Sequence, residues 1–154
     1  MRRHVFIVTA VFMSATALLA QDLTEEQDRA ISARQAHMSL YGFYLTPLGQ
    51  MAQDRIPYDA DVAAAAASNL AAMAAIDQSA FWVDGTDSSL ENSRARAEIW
   101  TNPDGYLEVK QNMEDSTAAL ALVAGDGLDA LKGAFGPVGQ SCGACHENFR
   151  TPAN

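Results

Sequence analysis

The sequence predicts an all-α protein built as an antiparallel bundle of four helices. Helix-favouring alanine is abundant, β-branched residues never alternate with polar ones, and helix-capping residues recur along the chain. Within the predicted helices, apolar residues are spaced by three and four, as in bundles with short turns. The 154 residues suffice for one domain with its own core, which we place at residues 21–154.

Residues 1–20 are predicted to be a signal peptide that precedes this domain. The chain opens with a basic Met-Arg-Arg, continues with an almost wholly apolar stretch, and turns polar and acidic after Ala20. This order is typical of a secretory signal peptide cleaved after Ala20, with cleavage after Ala17 as the alternative. The apolar stretch is shorter than the ~20 residues that a bilayer requires. We therefore expect export without membrane insertion.

The first helix is predicted to begin at Thr24, whose hydroxyl group would form a capping box with Gln27. Its apolar residues have the spacing of a helix that faces a bundle. These residues are Ile31, Met38, Tyr41, Leu45 and Leu48. Pro47 and Gly49 are expected to weaken the end of the helix.

The second helix is predicted to begin at Asp59, and its small side chains would let a neighbouring helix approach closely. Its apolar stripe consists of Val62, Ala66, Leu70 and Met73. Residues 77–99 show no sustained periodicity, so we expect a long connection across one end of the bundle. Tyr58, Trp82 and Trp100 are expected to pack at the bundle ends.

The third helix is predicted to begin at Asn102-Pro103, a capping residue followed by a proline in the first turn. Its stripe consists of Tyr106, Val109, Met113 and Leu120. Gly125 is expected to end this helix, and Asp126 is expected to cap the next one.

The fourth helix has the most regular apolar spacing in the chain. Its stripe consists of Leu128, Leu131, Phe135, Val138, Cys142, Cys145 and Phe149. Pro137 interrupts this pattern. It removes a backbone hydrogen bond to Gly133, so we expect a kink there.

The two cysteines form the segment Cys142-Gly143-Ala144-Cys145-His146. The pattern C-x-x-C-H is the attachment signature of c-type haem. Residues three apart lie on the same side of a helix, so both thiols can reach the two vinyl groups of one porphyrin. The histidine that follows can then ligate the iron. We predict one covalent haem c, attached through Cys142 and Cys145, with His146 as the proximal iron ligand.

Other interpretations of the cysteine pair are open. A thioredoxin-like dithiol needs the pair at a helix N-terminus in a βαβ unit, whereas this pair falls late in the last helix. A structural zinc site needs about four ligands, and His37 is far away in the sequence. A disulfide would close a loop of two residues, stabilise little, and leave the adjacent histidine unexplained.

The net charge limits the class of partner. The expected mature chain, residues 21–154, contains 8 basic and 19 acidic residues and so carries a net charge of −11. An acidic surface repels the phosphate backbone, so no nucleic-acid partner is expected. A redox partner protein with a basic surface fits this charge.

Motifs spread over nearly the whole domain resemble one family. They are Arg34-Gln35, Pro47-Leu48, Pro57-Tyr58-Asp59-Ala60, Ala97-Glu98-Ile99-Trp100, Ala124-Gly125-Asp126, Leu131, Ala134-Phe135-Gly136, and Gly139 to His146 with Phe149-Arg150. Their number and order, together with the C-terminal position of C-x-x-C-H, resemble the class II c-type cytochromes. This family comprises cytochrome c′ and its low-spin relative cytochrome c-556. Pro137 departs from the family pattern, which usually has no proline there.

The resemblance implies roles for the residues around the haem. Arg34 would meet a haem propionate, and an arginine extending to solvent along the stripe edge is the alternative. Phe149 would pack against the porphyrin edge. Arg150, four residues after His146, would stand near the proximal histidine, and an interaction with the helix dipole is the alternative.

Met38 matches the position that faces the distal side of the iron. As a thioether ligand it would give a six-coordinate, low-spin electron carrier; as a packing residue it would leave five-coordinate iron open to diatomic gases. Packing is favoured, because methionine on an apolar stripe is more often core than ligand. The neighbouring His37 is expected to be exposed or at the stripe edge rather than a distal ligand.

Three functions therefore compete. The favoured one is a periplasmic haem protein, not an enzyme, that binds nitric oxide or carbon monoxide behind an apolar distal wall. The second is an electron carrier with His146 and Met38 as axial ligands. The third is a non-haem bundle with a dithiol or a metal. The resemblance also implies a possible homodimer through the first two helices.

Overall fold

The computed structural model describes residues 23–152, which form four long helices and one short one. The long helices are α1 (Glu25–Ala52), α2 (Ala60–Ala74), α4 (Pro103–Val123) and α5 (Leu128–Phe149). The short helix α3 (Glu98–Thr101) precedes α4. The predicted signal peptide lies outside the described residues, so its cleavage stays a prediction.

The beginning of α1 confirms the predicted capping box. Thr24 accepts a hydrogen bond from the backbone N–H of Gln27, and the Gln27 side chain accepts one from the backbone N–H of Thr24. The expectation of a weakened end is wrong, because α1 continues through Pro47 to Ala52. Leu48 and Met51 are fully buried in this last part, and their burial outweighs the hydrogen bond that proline removes.

The beginning of α2 is also confirmed: the Asp59 carboxylate accepts from the backbone N–H of Val62 at 3.0 Å. The predicted stripe is only partly right, because Val62 is exposed. The buried face is made almost entirely of alanine around one leucine, and it comprises Ala63, Ala66, Ala67, Leu70 and Ala74. Its small side chains allow the neighbouring helices to approach closely.

Asn102 caps α4 as predicted, accepting from the backbone N–H of Gly105 at 3.2 Å. Asp126 does not cap α5, which corrects the prediction, because the residue at the N-cap is Gly127. The hydroxyl oxygen of Tyr58 accepts from the Gly127 N–H at 3.0 Å and so replaces a local cap. Helix α5 then runs without a break through Pro137.

Each long helix of residues 23–152 packs against two others: α1 and α4 each contact both α2 and α5. Short connections join α1 to α2 and α4 to α5, so these consecutive helices run antiparallel. The core between them is apolar, and its fully buried large side chains are Ile31, Leu48, Met51, Leu70, Leu120, Leu131 and Val138. The fold class predicted from the sequence, an antiparallel four-helix bundle, is confirmed.

Residues 75–102, which we call the crossover, connect α2 to α4. They contain a 3₁₀ turn at Ser79–Phe81 and the helix α3. The crossover pairs with the end of α5, where Ala95 and Arg150 form an antiparallel bridge. The Arg96 N–H donates to Phe149 O, and the Thr151 N–H donates to Arg94 O. The crossover thus lies over the end of the bundle that carries the C-x-x-C-H segment.

In the part of the chain that the structure covers, no helix combines the length and the apolar character that a membrane span requires.

Candidate haem site

One cavity of about 410 Å³ brings together all the site residues predicted from the sequence. Its walls come from α1, α4, α5 and the crossover, and its size is in the range of cofactor sites. The predicted residues in its wall are Arg34 and Met38 from α1, and Cys142, Cys145, His146, Phe149 and Arg150 from α5. Most other lining side chains are apolar or aromatic, among them Leu45, Ile99, Val109 and Met113.

The C-x-x-C-H segment lies in the last two turns of α5, where burial changes the pKa values of both cysteines and the histidine. Burial raises the pKa of the Cys142 thiol, and it raises the pKa of the Cys145 thiol to about 11. Burial lowers the pKa of His146, with the Arg150 and Arg94 cations acting in the same direction. At neutral pH the site therefore presents two thiols and an uncharged imidazole, which is the form of histidine that ligates a metal.

These properties weigh against the alternative uses of the two cysteines. A reactive dithiol needs a lowered thiol pKa, and both values are raised here. The two thiols are not joined in a disulfide. A zinc site needs about four ligands around one point. Within residues 23–152, no three side chains of His, Cys, Asp or Glu come together to hold a metal ion.

The charge of the cavity wall is opposite to that of the chain. Four cationic side chains line it, namely Arg34, Arg94, Lys110 and Arg150, whereas no Asp or Glu is among the lining residues. These are half of the 8 basic residues in the expected mature chain. The cavity therefore suits a group with a large apolar body and acidic substituents. A porphyrin with propionates has this chemistry, so the residues present fit a haem.

Arg34 is buried, which excludes the expected alternative of an arginine that extends to solvent. Only 6% of its surface is exposed, and its Nη1 donates to Phe81 O at 3.1 Å and to Thr86 Oγ1 at 2.9 Å. Its Nη2 donates to Thr86 O at 2.5 Å and to Ser93 Oγ at 2.7 Å. Every one of these acceptors is uncharged. Among the described residues, no carboxylate lies within ion-pairing distance of this buried cation.

His37 is not exposed or at the stripe edge, contrary to the expectation. It is 6% exposed and packs edge-on against Tyr41 with ring centroids 4.5 Å apart, and against Phe81 at 5.5 Å. It is absent from the wall of the cavity, so it is not placed to ligate a group bound there. Burial lowers its pKa, and its Nε2 is buried without a partner in the described chain.

One part of the cavity wall is polar, which the expected apolar wall did not include. Trp82 Nε1 donates to the Tyr106 hydroxyl oxygen at 2.8 Å, and the Tyr106 hydroxyl donates to Gln78 Oε1 at 2.8 Å. Trp82 packs at this end of the bundle, as expected, and it also lines the cavity. Trp100 supports it by donating Nε1 to Trp82 O at 2.9 Å. Gln78 lies in a segment without periodicity, so no sequence signal singled it out.

Phe149 is held between α4 and the crossover. It is buried, its ring packs edge-on against Tyr106 with centroids 5.7 Å apart, and its backbone carbonyl accepts from the Arg96 N–H. Arg150 leaves the helix in an extended conformation and pairs with Ala95. Both side chains nevertheless line the cavity with His146, so the helix end and the crossover position them together.

Comparisons with known proteins point to one family. The Cytochrome C′ family model matches residues 29–150. Cytochrome c-554 of Cereibacter sphaeroides is 38% identical over 137 residues, which cover 88% of this chain and 89% of that protein. The structure of cytochrome c′ from Rhodobacter sphaeroides superposes with a TM-score of 0.80 at 34% identity, covering 82% of this chain and 98% of that one.

A second solved structure holds a diatomic ligand. It is the nitric oxide complex of a variant of cytochrome c prime from Alcaligenes xylosoxidans. It superposes with a TM-score of 0.74 at 29% identity, covering 85% of this chain and all of that one. The site, the fold and these matches agree: the chain belongs to the cytochrome c′ family, whose members carry a single covalently attached haem c.

Proposed function

We propose that this chain is a periplasmic cytochrome that binds nitric oxide or carbon monoxide at a five-coordinate haem iron, without catalysing a reaction. One observation carries the proposal: the two attachment cysteines, the neighbouring His146 and four cationic side chains line one cavity, together with Met38. The nitric oxide complex of the Alcaligenes relative supports it. The predicted signal peptide supports the periplasmic location.

When bound, the haem supplies an iron atom that accepts a diatomic gas or a single electron. Cys142 and Cys145 would attach the haem through two thioether bonds, and His146 would ligate its iron through a ring nitrogen. Arg34 would supply the positive charge that meets a propionate, and the propionate would be the anion that this buried cation lacks among residues 23–152. Phe149 would pack at the porphyrin edge, since it lines the same cavity.

Arg150 has a second part in the proposal. It lines the cavity, and its charge acts on both Cys145 and His146. Because it lines the same cavity as His146, Arg150 would meet a gas that approaches the iron from the side of that histidine. An arginine donates strongly to a polar ligand atom, whereas the apolar residues around it do not.

Electron transfer is the second candidate function, and the position of Met38 supports it. Met38 lines the same cavity from α1, so its thioether can serve as a sixth ligand and raise the reduction potential. The net charge of −11 expected for residues 21–154 suits a basic redox partner.

An optical spectrum of the oxidised and reduced protein, with and without carbon monoxide, separates the two functions. Gas binding predicts a high-spin ferrous spectrum that shifts when carbon monoxide is added. Electron transfer with Met38 as ligand predicts a low-spin spectrum that the gas leaves unchanged. A mature protein with the mass of the bare polypeptide and no Soret band would contradict both.

The substitution Met38→Ala tests the sixth ligand directly. If Met38 ligates the iron, the variant turns high-spin and binds carbon monoxide; if it only packs, the spin state stays the same. Met113→Ala is the matched control, because Met113 lines the same cavity from α4. A spin-state change in the control alone would show that cavity volume, not Met38, decides coordination.

The proposal includes a homodimer formed through α1 and α2. Both helices present large apolar side chains to solvent, among them Phe43, which is 68% exposed, and Val62. Replacing Phe43 by glutamate is expected to give a monomer in sedimentation equilibrium. Leu122→Glu is the control, because Leu122 is 81% exposed but lies on α4. Equal effects of both substitutions would place the contact elsewhere.

A further inference from the structure

Gln78 is a buried polar residue in the wall of the haem cavity. Only 3% of its surface is exposed, and it follows α2 at the start of the crossover. Its carbonyl oxygen Oε1 accepts from the Tyr106 hydroxyl at 2.8 Å, and that hydroxyl accepts from Trp82 Nε1 at 2.8 Å. All three residues line the cavity.

This chain of hydrogen bonds determines which way the amide points. An indole N–H can only donate, so the Tyr106 oxygen accepts from Trp82. The Tyr106 hydroxyl then donates its own hydrogen bond to Gln78. The atom of Gln78 that faces Tyr106 is therefore the carbonyl oxygen, and the amino group faces away from Tyr106. The two rings hold this orientation in place, because turning the amide over would set its N–H groups against the Tyr106 proton.

The amino group of Gln78 has no hydrogen-bond acceptor in the part of the chain that the structure describes. Its Nε2 is buried and makes no hydrogen bond within residues 23–152. Tyr41 is a neighbour of Gln78, and the Tyr41 hydroxyl donates its hydrogen bond to Met73 O at 3.2 Å. A buried donor left unpaired costs free energy, so an acceptor that reaches it from the cavity is stabilised.

We propose that Gln78 determines ligand specificity by donating an amide hydrogen bond to a small ligand held in the cavity. The inference rests on the proposed gas binding. Such a donor favours ligands whose outer atom carries partial negative charge, such as dioxygen, over weakly polar ligands of the same size. The cavity should therefore bind dioxygen more tightly than a cavity with a wholly apolar wall would.

The test is the C–O stretching frequency of the ferrous holoprotein with carbon monoxide, measured by infrared spectroscopy. A donor beside the ligand oxygen lowers this frequency, because positive charge there draws electron density into the antibonding orbital. Gln78→Leu is expected to shift the band to higher frequency. Gln35→Leu is the matched control: Gln35 lines the same cavity, but its amide already donates to Asn92 O at 2.7 Å. The control is expected to leave the band in place.

The same pair of measurements is repeated in the Met38→Ala background, which keeps the test independent of the proposed function. If the unmodified protein takes up no carbon monoxide, gas binding fails, while the double variant still reports on Gln78. A shift on removing Gln78 in either background supports the inference. An unchanged band, or an equal shift with Gln35→Leu, overturns it. Unaltered helix content by circular dichroism confirms that the variants fold.

Discussion

Arg34 joins α1 to the crossover through four hydrogen bonds, and all of their acceptors are uncharged. Its guanidinium also lies over the Trp82 ring, 5.4 Å from the ring centre. The residue thus serves the fold and the site together, because the segment it holds forms one wall of the cavity. The resemblance indicated a partner for this charge, whereas the protein groups that it contacts belong to a segment without periodicity.

Replacing Arg34 by leucine is expected to destabilise the holoprotein by about 3 kcal/mol, because it leaves buried acceptors unpaired. Denaturant unfolding measures the change. Arg29→Ala is the control: Arg29 pairs with Glu25 at 3.4 Å on an exposed helix surface, where an ion pair stabilises little. If both variants lost the same free energy of unfolding, the four hydrogen bonds of Arg34 would stabilise the fold no more than an exposed ion pair.

His37 makes stability depend on pH. Burial lowers its folded-state pKa below the unfolded value of about 6.5, so the unfolded chain takes up the proton first as pH falls. Its contribution to stability is fully present above about pH 6.5 and is lost as the pH falls toward the folded-state pKa. Denaturant unfolding at pH 7.5 and pH 5 tests this against His37→Phe, which cannot titrate. The variant should lose less stability between the two pH values; an equal loss contradicts the prediction.

At the scale of single helices, local patterns predicted beginnings better than ends. Thr24, Asp59 and Asn102 cap their helices as expected, because a capping side chain bonds to the backbone within three residues. The continuation of α1 past Pro47 and the missing cap at Asp126 depend on contacts between distant parts of the chain. Such contacts leave no trace in local spacing.

Pro137 lies inside α5, and its replacement by alanine is expected to stabilise the protein by about 1 kcal/mol or more. Alanine restores the backbone N–H that proline lacks and has the highest helix propensity. Thermal unfolding measures the change. Pro103→Ala is the control, since proline at the first position of α4 costs no hydrogen bond. A lower melting temperature for Pro137→Ala would show that the proline suits a bend which this packing requires.

Tyr58 connects the beginning of α2 to the turn between α4 and α5. Its hydroxyl donates to Ala124 O at 2.9 Å and accepts from the Gly127 N–H at 3.0 Å. Tyr58→Phe leaves both backbone groups unpaired, so we expect a loss of about 2 kcal/mol in denaturant unfolding. Tyr44→Phe removes a hydroxyl group with no hydrogen-bond partner in the described chain and should change little. If Tyr58→Phe left the free energy of unfolding unchanged, water would be replacing the hydroxyl group as partner of the two backbone groups.

Across the whole molecule, negative charge predominates overall, while positive side chains are concentrated at one cavity. The chain is strongly acidic, yet half of the basic residues expected after maturation line one cavity. The net charge was available from composition, and the resemblance suggested Arg34 and Arg150. The sequence did not indicate that Arg94 and Lys110 line the same cavity, because this depends on the packing of the crossover against α4.

This division predicts how salt affects electron exchange. The rate with a basic partner protein should fall steeply as ionic strength rises, because screening removes the attraction to the acidic exterior. Stopped-flow kinetics at two salt concentrations measures the effect. An acidic partner protein is the control, and its rate should rise with salt. Rates that respond alike for both partners would show that the exterior charge does not guide the encounter.

The pairing of Arg94 and Arg96 with Phe149 and Thr151 has a consequence for biosynthesis. A ribosome makes the chain from its amino terminus, so these two segments can pair only after α5 has been translated. A nonsense codon placed just after His146 would keep the attachment segment but remove the residues that pair with the crossover. The haem pocket therefore cannot close before the end of α5 has been made.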